Sequence, residues 1–245
     1  MTGIVRAIAI VVACAAGAAG AAGADSDGSP VPAAVGVRVE KPAGDGVHFA
    51  QGSGVYLGDG LVITAAHVIE YDPGHAAVTV LLDGTRTPGA VVFDGERQAK
   101  PPVDLALIRV ATEYLPPARI VQPEVRPCPA NPATGQAVTV AALGTVSQSA
   151  TLPTPLYREG ATALTTQGGW TNILVTGYHP GNSGGGVFDP RARCLWGILN
   201  LELSGTPAGG ARPLDLTAFV PATEIAAFMG DYRRAQAARS DDRPR

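Results

Sequence analysis

Charge is scarce in this 245-residue chain. Lys and Arg number 18, Asp and Glu 21, so charged residues make up 16% and the formal net charge is −3. So small a balance creates no cationic field, which argues against nucleic acid as a partner. Aromatic residues are also few, at 5%, so a core has to come from Val, Leu, Ile and Ala. The apolar fraction of 46% is too high for a disordered chain. Only three Cys are present, with no CxxC pair and no His near a carboxylate cluster, so no compact zinc site is expected. No metal or organic cofactor is implied. What abounds is Gly and Pro, 31 and 21 residues. Many breakers with little charge suit short strands and tight turns and suit long helices badly. The length fits one large β domain or two small ones.

The N-terminus has its own composition. Arg6 is the one charge before an uncharged apolar and small-residue run over residues 7–24, and Asp25 is the first acid. A basic start, an apolar middle and an Ala22-Gly23-Ala24 end read as a secretory signal peptide, residues 1–24. Two alternatives stay open. A membrane anchor is disfavoured because Ala and Gly would hold a bilayer weakly. Val11-Val12-Ala13-Cys14 resembles a bacterial lipoprotein cleavage box, so the membrane is a partner only if Cys14 is lipidated. The expected location is secreted or periplasmic. With Cys14 in the exported segment, Cys128 and Cys194 remain, an even number in an oxidising compartment, and a disulfide between them is expected. Closing that long loop stabilises a fold by about 4 kcal/mol in the chain-entropy model. The bland alternative is two buried free thiols.

Residues 25–34 read as a flexible leader. Val35, Val37 and Val39 then alternate with small or polar residues, as in a half-buried strand. Gly58-Asp59-Gly60 reads as a hairpin turn, and Asp83-Gly84 and Asp94-Gly95 each read as a turn that follows a strand, over 77–82 and 89–93. Residues 103–110 form another apolar strand, and six Pro between 116 and 132 mark an extended linker. Strand candidates in the second half are 136–142, 156–165, 172–176, 185–188, 194–201 and 216–220. Residues 221–229 read as a short helix, with Pro221 at its start and Gly230 as its stop. A charged tail, 231–245, follows. The expected fold class is all-β: two six-stranded antiparallel barrels, over 35–118 and 119–230, with a short C-terminal helix.

Three segments carry chemistry. They are Val62-Ile63-Thr64-Ala65-Ala66-His67-Val68, Val103-Asp104-Leu105-Ala106-Leu107 and Gly181-Asn182-Ser183-Gly184-Gly185. A Ser hydroxyl is a weak nucleophile at neutral pH and needs a base within hydrogen-bond reach; His suits that task. The imidazole becomes a cation on taking the proton, and a buried Asp on its other nitrogen fixes the tautomer and stabilises that cation. Asp104 stands in an apolar run, so its carboxylate needs a partner. Any one segment is moderate evidence alone.

Together the segments resemble the trypsin-like (chymotrypsin-fold) serine proteases, in which His, Asp and Ser follow in that order. The spacings here are 37 and 79 residues. The resemblance spans about residues 35–230. It implies a serine endopeptidase acting on polypeptides, with Ser183 as nucleophile, His67 as base then acid and Asp104 as its orienter. It further implies an oxyanion hole from the N–H groups of Gly181 and Ser183. The chain departs from the digestive members of that family. Asn182 stands where they have an Asp that pairs with a new N-terminus, and no Arg-Ile-Val-Gly-Gly site precedes His67. That resembles the bacterial branch, including protease domains of the HtrA type. The resemblance puts Gly177 at the floor of the substrate pocket and Asn200, Leu201 and Glu202 along its wall, with Asn200 also facing Asp104. Glu202 and Asp215 are expected on the surface. His48 and His75 read as solvated loop residues, and His179 as a cleft residue of no defined role. A monomer is expected. The alternatives are a non-catalytic binding module on the same scaffold, and an esterase. An esterase would place its His last, after the Gly-x-Ser-x-Gly elbow.

Overall fold

The computed structural model describes residues 33–43, 46–69, 77–143, 145–152, 172–175, 180–190, 194–205 and 214–241. The signal-like segment, residues 25–32 of the leader, Cys14, His75, Gly177, His179 and the strand candidate over 156–165 lie outside them; the last leader residue, Ala34, already belongs to a strand. Among the described residues no helix is long and apolar enough to cross a membrane.

Six strands form the first barrel: β1 (Ala34–Ala43), β2 (Gly46–Gly58), β3 (Leu61–Thr64), β4 (Ala77–Leu82), β5 (Thr85–Asp94) and β6 (Ala106–Val110), closed in the order β1-β2-β3-β6-β5-β4. Six more form the second: β7 (Ala137–Ala142), β8 (Thr145–Leu152), β9 (Asn172–Val175), β10 (Gly186–Phe188), β11 (Leu195–Gly205) and β12 (Leu214–Pro221), closed as β10-β11-β12-β9-β8-β7. All the ladders are antiparallel.

Valine alternation explains β1. Val35, Val37 and Val39 are buried inside the first barrel with Tyr56, Val62, Val80 and Ile108. The uninterrupted apolar strand β3 has a different cause. Val62 faces the barrel interior, while Leu61 and Ile63 face the seam between barrels. A strand covered on both faces has no reason to alternate. The same division runs through β6, with Ile108 inside and Leu107 in the seam. In the second barrel Val138, Val140, Val187, Leu199 and Phe219 fill the interior, and Ala141, Phe188, Ile198 and Val220 face the seam. The β2–β3 hairpin turns at Asp59 and Gly60, both in the left-handed region (φ 48° and 71°). A side chain on Gly60 would collide with the Val110 carbonyl, so glycine is required there for two reasons.

Between the barrels lie a 3-10 turn (Thr112–Tyr114) and one helical turn (Pro117–Ile120), followed by extended chain. That chain bonds to both barrels: Val125 N–H donates to the Leu57 carbonyl at 3.0 Å and Leu195 N–H to the Arg126 carbonyl at 2.9 Å. Arg119 anchors its start. The guanidinium is buried, donates to both Asp83 carboxylate oxygens at 3.0 and 2.6 Å, and lies over the Tyr56 ring. Cys128 and Cys194 form a disulfide with Cα atoms 5.0 Å apart, tying the linker to the start of β11.

Three sequence expectations are corrected. Asp94-Gly95 does not make a bare turn; Asp94 caps a helical turn, Gly95–Gln98, by accepting from Glu96 N–H at 3.0 Å. Strand β8 was not expected at 145–152, because Ser147, Gln148 and Ser149 hide the strand pattern. Gly230 does not end the last helix, which runs from Ala222 to Asp241 and takes in most of the expected charged tail. Glycine costs a helix about 1 kcal/mol relative to alanine, and tertiary packing outweighs that here. Phe228 and Tyr232 pack on Phe93 of the first barrel with ring centroids 5.3 and 5.8 Å apart. The Tyr232 hydroxyl accepts from Arg109 at 3.0 Å, and the Asp231 carboxylate accepts from Lys100 N–H at 3.2 Å. The helix leaves the second barrel and clasps the first.

Candidate active site

Strands β3 and β6 are neighbours, with Thr64 opposite Ala106. His67 comes three residues after Thr64 and Asp104 two residues before Ala106, so both leave the same end of one strand pair. One helical turn, α1 (Ala66–Ile69), carries His67. Both Asp104 oxygens are used on it: Oδ2 lies 2.8 Å from His67 Nδ1, and Oδ1 accepts from His67 N–H at 2.9 Å. The carboxylate therefore fixes both the ring and the peptide that carries it. With Nδ1–H donating to Asp104, the lone pair sits on Nε2. Asp104 is 12% exposed and the His67 ring 42%, so the acid is hidden and the imidazole faces solvent. Burial pushes the Asp104 carboxyl up, but the hydrogen bonds and charge of His67, with help from the Asn200 amide, bring it below the usual carboxylate range.

Ser183 stands on the loop before β10. Gly184 N–H donates to the Leu199 carbonyl at 2.7 Å and Leu199 N–H to the Gly185 carbonyl at 2.8 Å, stitching that loop to β11. Gly184 has φ 88°, and a side chain on it would collide with the Ser53 carbonyl and Thr64 Oγ1. Asn200 is buried on β11 and joins the two halves of the site. Its Nδ2 donates to the Asp104 carbonyl at 3.2 Å, and its own carbonyl accepts from Ser183 Oγ at 3.2 Å. The amide of Asn200 is thus engaged by Asp104. Gly181, at φ 100°, has its carbonyl held by Ser53 Oγ at 2.8 Å.

His67, Asp104, Ser183, Gly181 and Asn200 therefore come together at the mouth of the seam. Leu201, Glu202 and Asp215 lie on β11 and β12, where Asp215 is paired with Ser204; their side chains, and that of His48 on β2, lie outside the described ones. Among the described residues no group of His, Cys, Asp and Glu is arranged to hold a metal.

Two residues at the site were not singled out from sequence. Glu96, on the helical turn beside Asp104, has its carboxyl raised by partial burial and by the charges of Asp104 and Asp94, against the pull of His67 and Arg97. Ser53 is fully buried and touches the Ser183 loop from the other barrel. Its one local signal is the flanking Gly52 and Gly54, since glycines inside a strand mark a close backbone approach. A side chain on Gly52 would press on Val68 and lie 3.0 Å from the Ser183 carbonyl.

Solved structures share this architecture. The Rv3671c protease of M. tuberculosis in its active form is 19% identical, with 83% of this chain and 82% of that chain covered and a TM-score of 0.53. HL collagenase is 15% identical, with coverage of 81% and 92% and a TM-score of 0.56. An inactivated protease paralogue of the scabies mite, SMIPP-S-I1, is 16% identical, with coverage of 84% and 96% and a TM-score of 0.56. Identities this low speak for the fold alone. No curated protein matches the sequence. The profile of the trypsin-like peptidase domain matches residues 52–198, more than half of the chain and a stretch that holds all three of His67, Asp104 and Ser183. By that match and by its two barrels, the chain belongs to the trypsin-like, chymotrypsin-fold serine protease family.

Proposed function

We propose that the protein is an exported serine endopeptidase that cleaves polypeptides through an acyl-enzyme. The observation that carries this is the double hold of Asp104 on His67, at 2.8 and 2.9 Å, with Asn200 joining Asp104 to the Ser183 hydroxyl. Ser183 Oγ turns from the Asn200 carbonyl to His67 Nε2, loses its proton there and attacks the scissile carbonyl carbon. The imidazolium is stabilised by Asp104 and returns the proton to the leaving amine. Water, activated by the same imidazole, then releases the acyl group. The N–H groups of Gly181 and Ser183 receive the oxyanion; one such donor is worth about 10²–10³ in rate. An exported location agrees with the Cys128–Cys194 disulfide.

The family resemblance assigns the pocket floor to Gly177, a residue without charge. A charged side chain bound there would lose hydration without a partner, while an apolar one gains about 0.8 kcal/mol per buried CH₂. Ala, Val or Leu before the cut site is the expected preference. A peptide-library profile tests this; a preference for Lys or Arg that vanishes on neutralising Glu202 or Asp215 contradicts it. Activity itself is tested by hydrolysis of such peptides by wild type and Ser183→Ala, both checked to be folded. A second reading, a binding module without catalysis, is favoured only by the resting contact of Ser183 Oγ with the Asn200 carbonyl; turnover by wild type excludes it.

A further inference from the structure

We propose that Ser53 is a positioning residue for catalysis, a clamp by which the first barrel holds the nucleophile loop of the second. This role rests on the proposed function. Ser53 lies on β2, fully buried, and every polar atom it has is engaged. Its N–H donates to the Ser183 carbonyl at 2.7 Å. Its Oγ donates to the Gly181 carbonyl at 2.8 Å and accepts from Leu143 N–H at 2.9 Å. Its carbonyl accepts from Thr64 Oγ1 at 2.6 Å. Three of these four bonds cross from the first barrel to the second. Two of them grip the carbonyls of Gly181 and Ser183, on either side of the peptide that presents the Ser183 N–H.

Geometry gives the clamp its consequence. A peptide plane is rigid, so fixing a carbonyl fixes the direction of the N–H at its other end. Holding the Gly181 and Ser183 carbonyls toward Ser53 restricts rotation of the planes that flank the oxyanion donors. Gly181 at φ 100° and Gly184 at φ 88° occupy backbone regions open to glycine, so the loop has little resistance of its own to a peptide flip. At the Gly181–Asn182 plane the resistance is supplied from outside, by the Ser53 side chain on the other barrel; the Ser183–Gly184 plane is held by Ser53 N–H and by the Leu199 carbonyl of its own barrel. The hydrogen bonds of Ser53 go to the Ser183 and Gly181 carbonyls, Leu143 N–H and Thr64 Oγ1, and none to Ser183 Oγ or the His67 ring; it acts through Gly181 and Ser183. Oxyanion donors act only when they are already aimed at the developing charge, so a loosened loop weakens transition-state stabilisation and leaves substrate contacts elsewhere in place.

Ser53→Ala removes the donor to Gly181 and the acceptor of Leu143 while leaving the backbone bond to Ser183. The expected result is a fall in kcat of about 10- to 100-fold with KM within about twofold, measured per active site by titration. Affinity for a peptidyl trifluoromethyl ketone, which needs the oxyanion hole, falls in step with kcat; affinity for the corresponding non-cleavable peptide does not. Ser53→Thr, which retains Oγ, recovers kcat. If Ser53→Ala does not fold, Ser53→Cys, with its weaker donor, gives an intermediate kcat. Unchanged kcat per titrated site in the folded Ala or Cys variant overturns the role. So does an equal loss of ketone and peptide affinity, which marks a merely structural residue. Failure of wild type to react with a fluorophosphonate removes the proposed function itself, and the clamp with it; reaction of wild type and Ser53→Ala at equal rates removes the clamp alone.

Discussion

The proposed acid–base half of the site and the proposed nucleophile half are built differently. His67 and Asp104 belong to one barrel, just beyond the same end of the adjacent strands β3 and β6, and two hydrogen bonds fix them to each other. Ser183 sits on a loop whose contacts lie mostly elsewhere: with Leu199 and Asn200 on β11, and with Ser53 across the seam. The first half is as rigid as the strand pair beneath it. The second is stitched to β11 of its own barrel and depends in addition on the packing of one barrel on the other. A site divided in this way makes catalysis sensitive to the seam while leaving the His67–Asp104 pair intact.

The largest effect should come from breaking the local half. Asp104→Asn keeps the shape and loses the charge, so the ring takes the wrong tautomer; hydrolysis should fall by about 10⁴-fold with the fold retained. Steady-state kinetics alongside circular dichroism checks this, and a loss below tenfold would show that Asp104 does not orient His67.

Breaking the seam comes next. Phe228 is fully buried against Phe93, and a buried Phe→Ala substitution costs about 3–5 kcal/mol. Phe228→Ala should lower the unfolding free energy by about that amount and reduce turnover at Ser183 more than it disturbs the His67–Asp104 pair. Chemical denaturation gives the first quantity, and the His67 Nδ1 proton resonance reports the second. Loss of that resonance together with activity would mean that the two halves are not separable.

Much of the local half can be read along the chain. The apolar run of β3 leads straight to His67, and an Asp inside the apolar segment 103–107 demands a partner. The Ser183 loop is visible through Gly181, Gly184 and Gly185. Ser53 is not, because nothing nearby in sequence states that a serine between two glycines meets residue 181. Strand β8 is obscured because its residues 147–149 are polar, and the C-terminal helix is misjudged at Gly230 because its stability comes from Phe93 and Arg109, more than a hundred residues away. Local pattern reveals what local geometry causes; contacts across the seam leave only weak marks, such as the glycines beside Ser53.

The smallest effects concern pH, and the two carboxyls at the site have opposite signs. Asp104 is held below the usual carboxylate range in the folded state, so its contribution to stability is present above that range and is lost as pH falls through the folded value. The stability difference between wild type and Asp104→Asn should therefore shrink toward zero in acid. Glu96 is raised, so the unfolded chain ionises it first and the folded state is penalised from the usual carboxylate range upward. Glu96→Gln should stabilise slightly at neutral pH, with the gain gone in acid. Thermal melts across pH check both, and a gain for Glu96→Gln that grows in acid would reverse the sign assigned here.

The central claim is that Ser183 is a nucleophile activated by His67. Labelling with a fluorophosphonate followed by mass spectrometry tests it most directly. Wild type should carry one adduct on Ser183, Ser183→Ala none, and His67→Ala should react slower by several orders of magnitude, about 10⁴-fold or more. Labelling of Ser183→Ala at the wild-type rate, or none of folded wild type, would contradict the account.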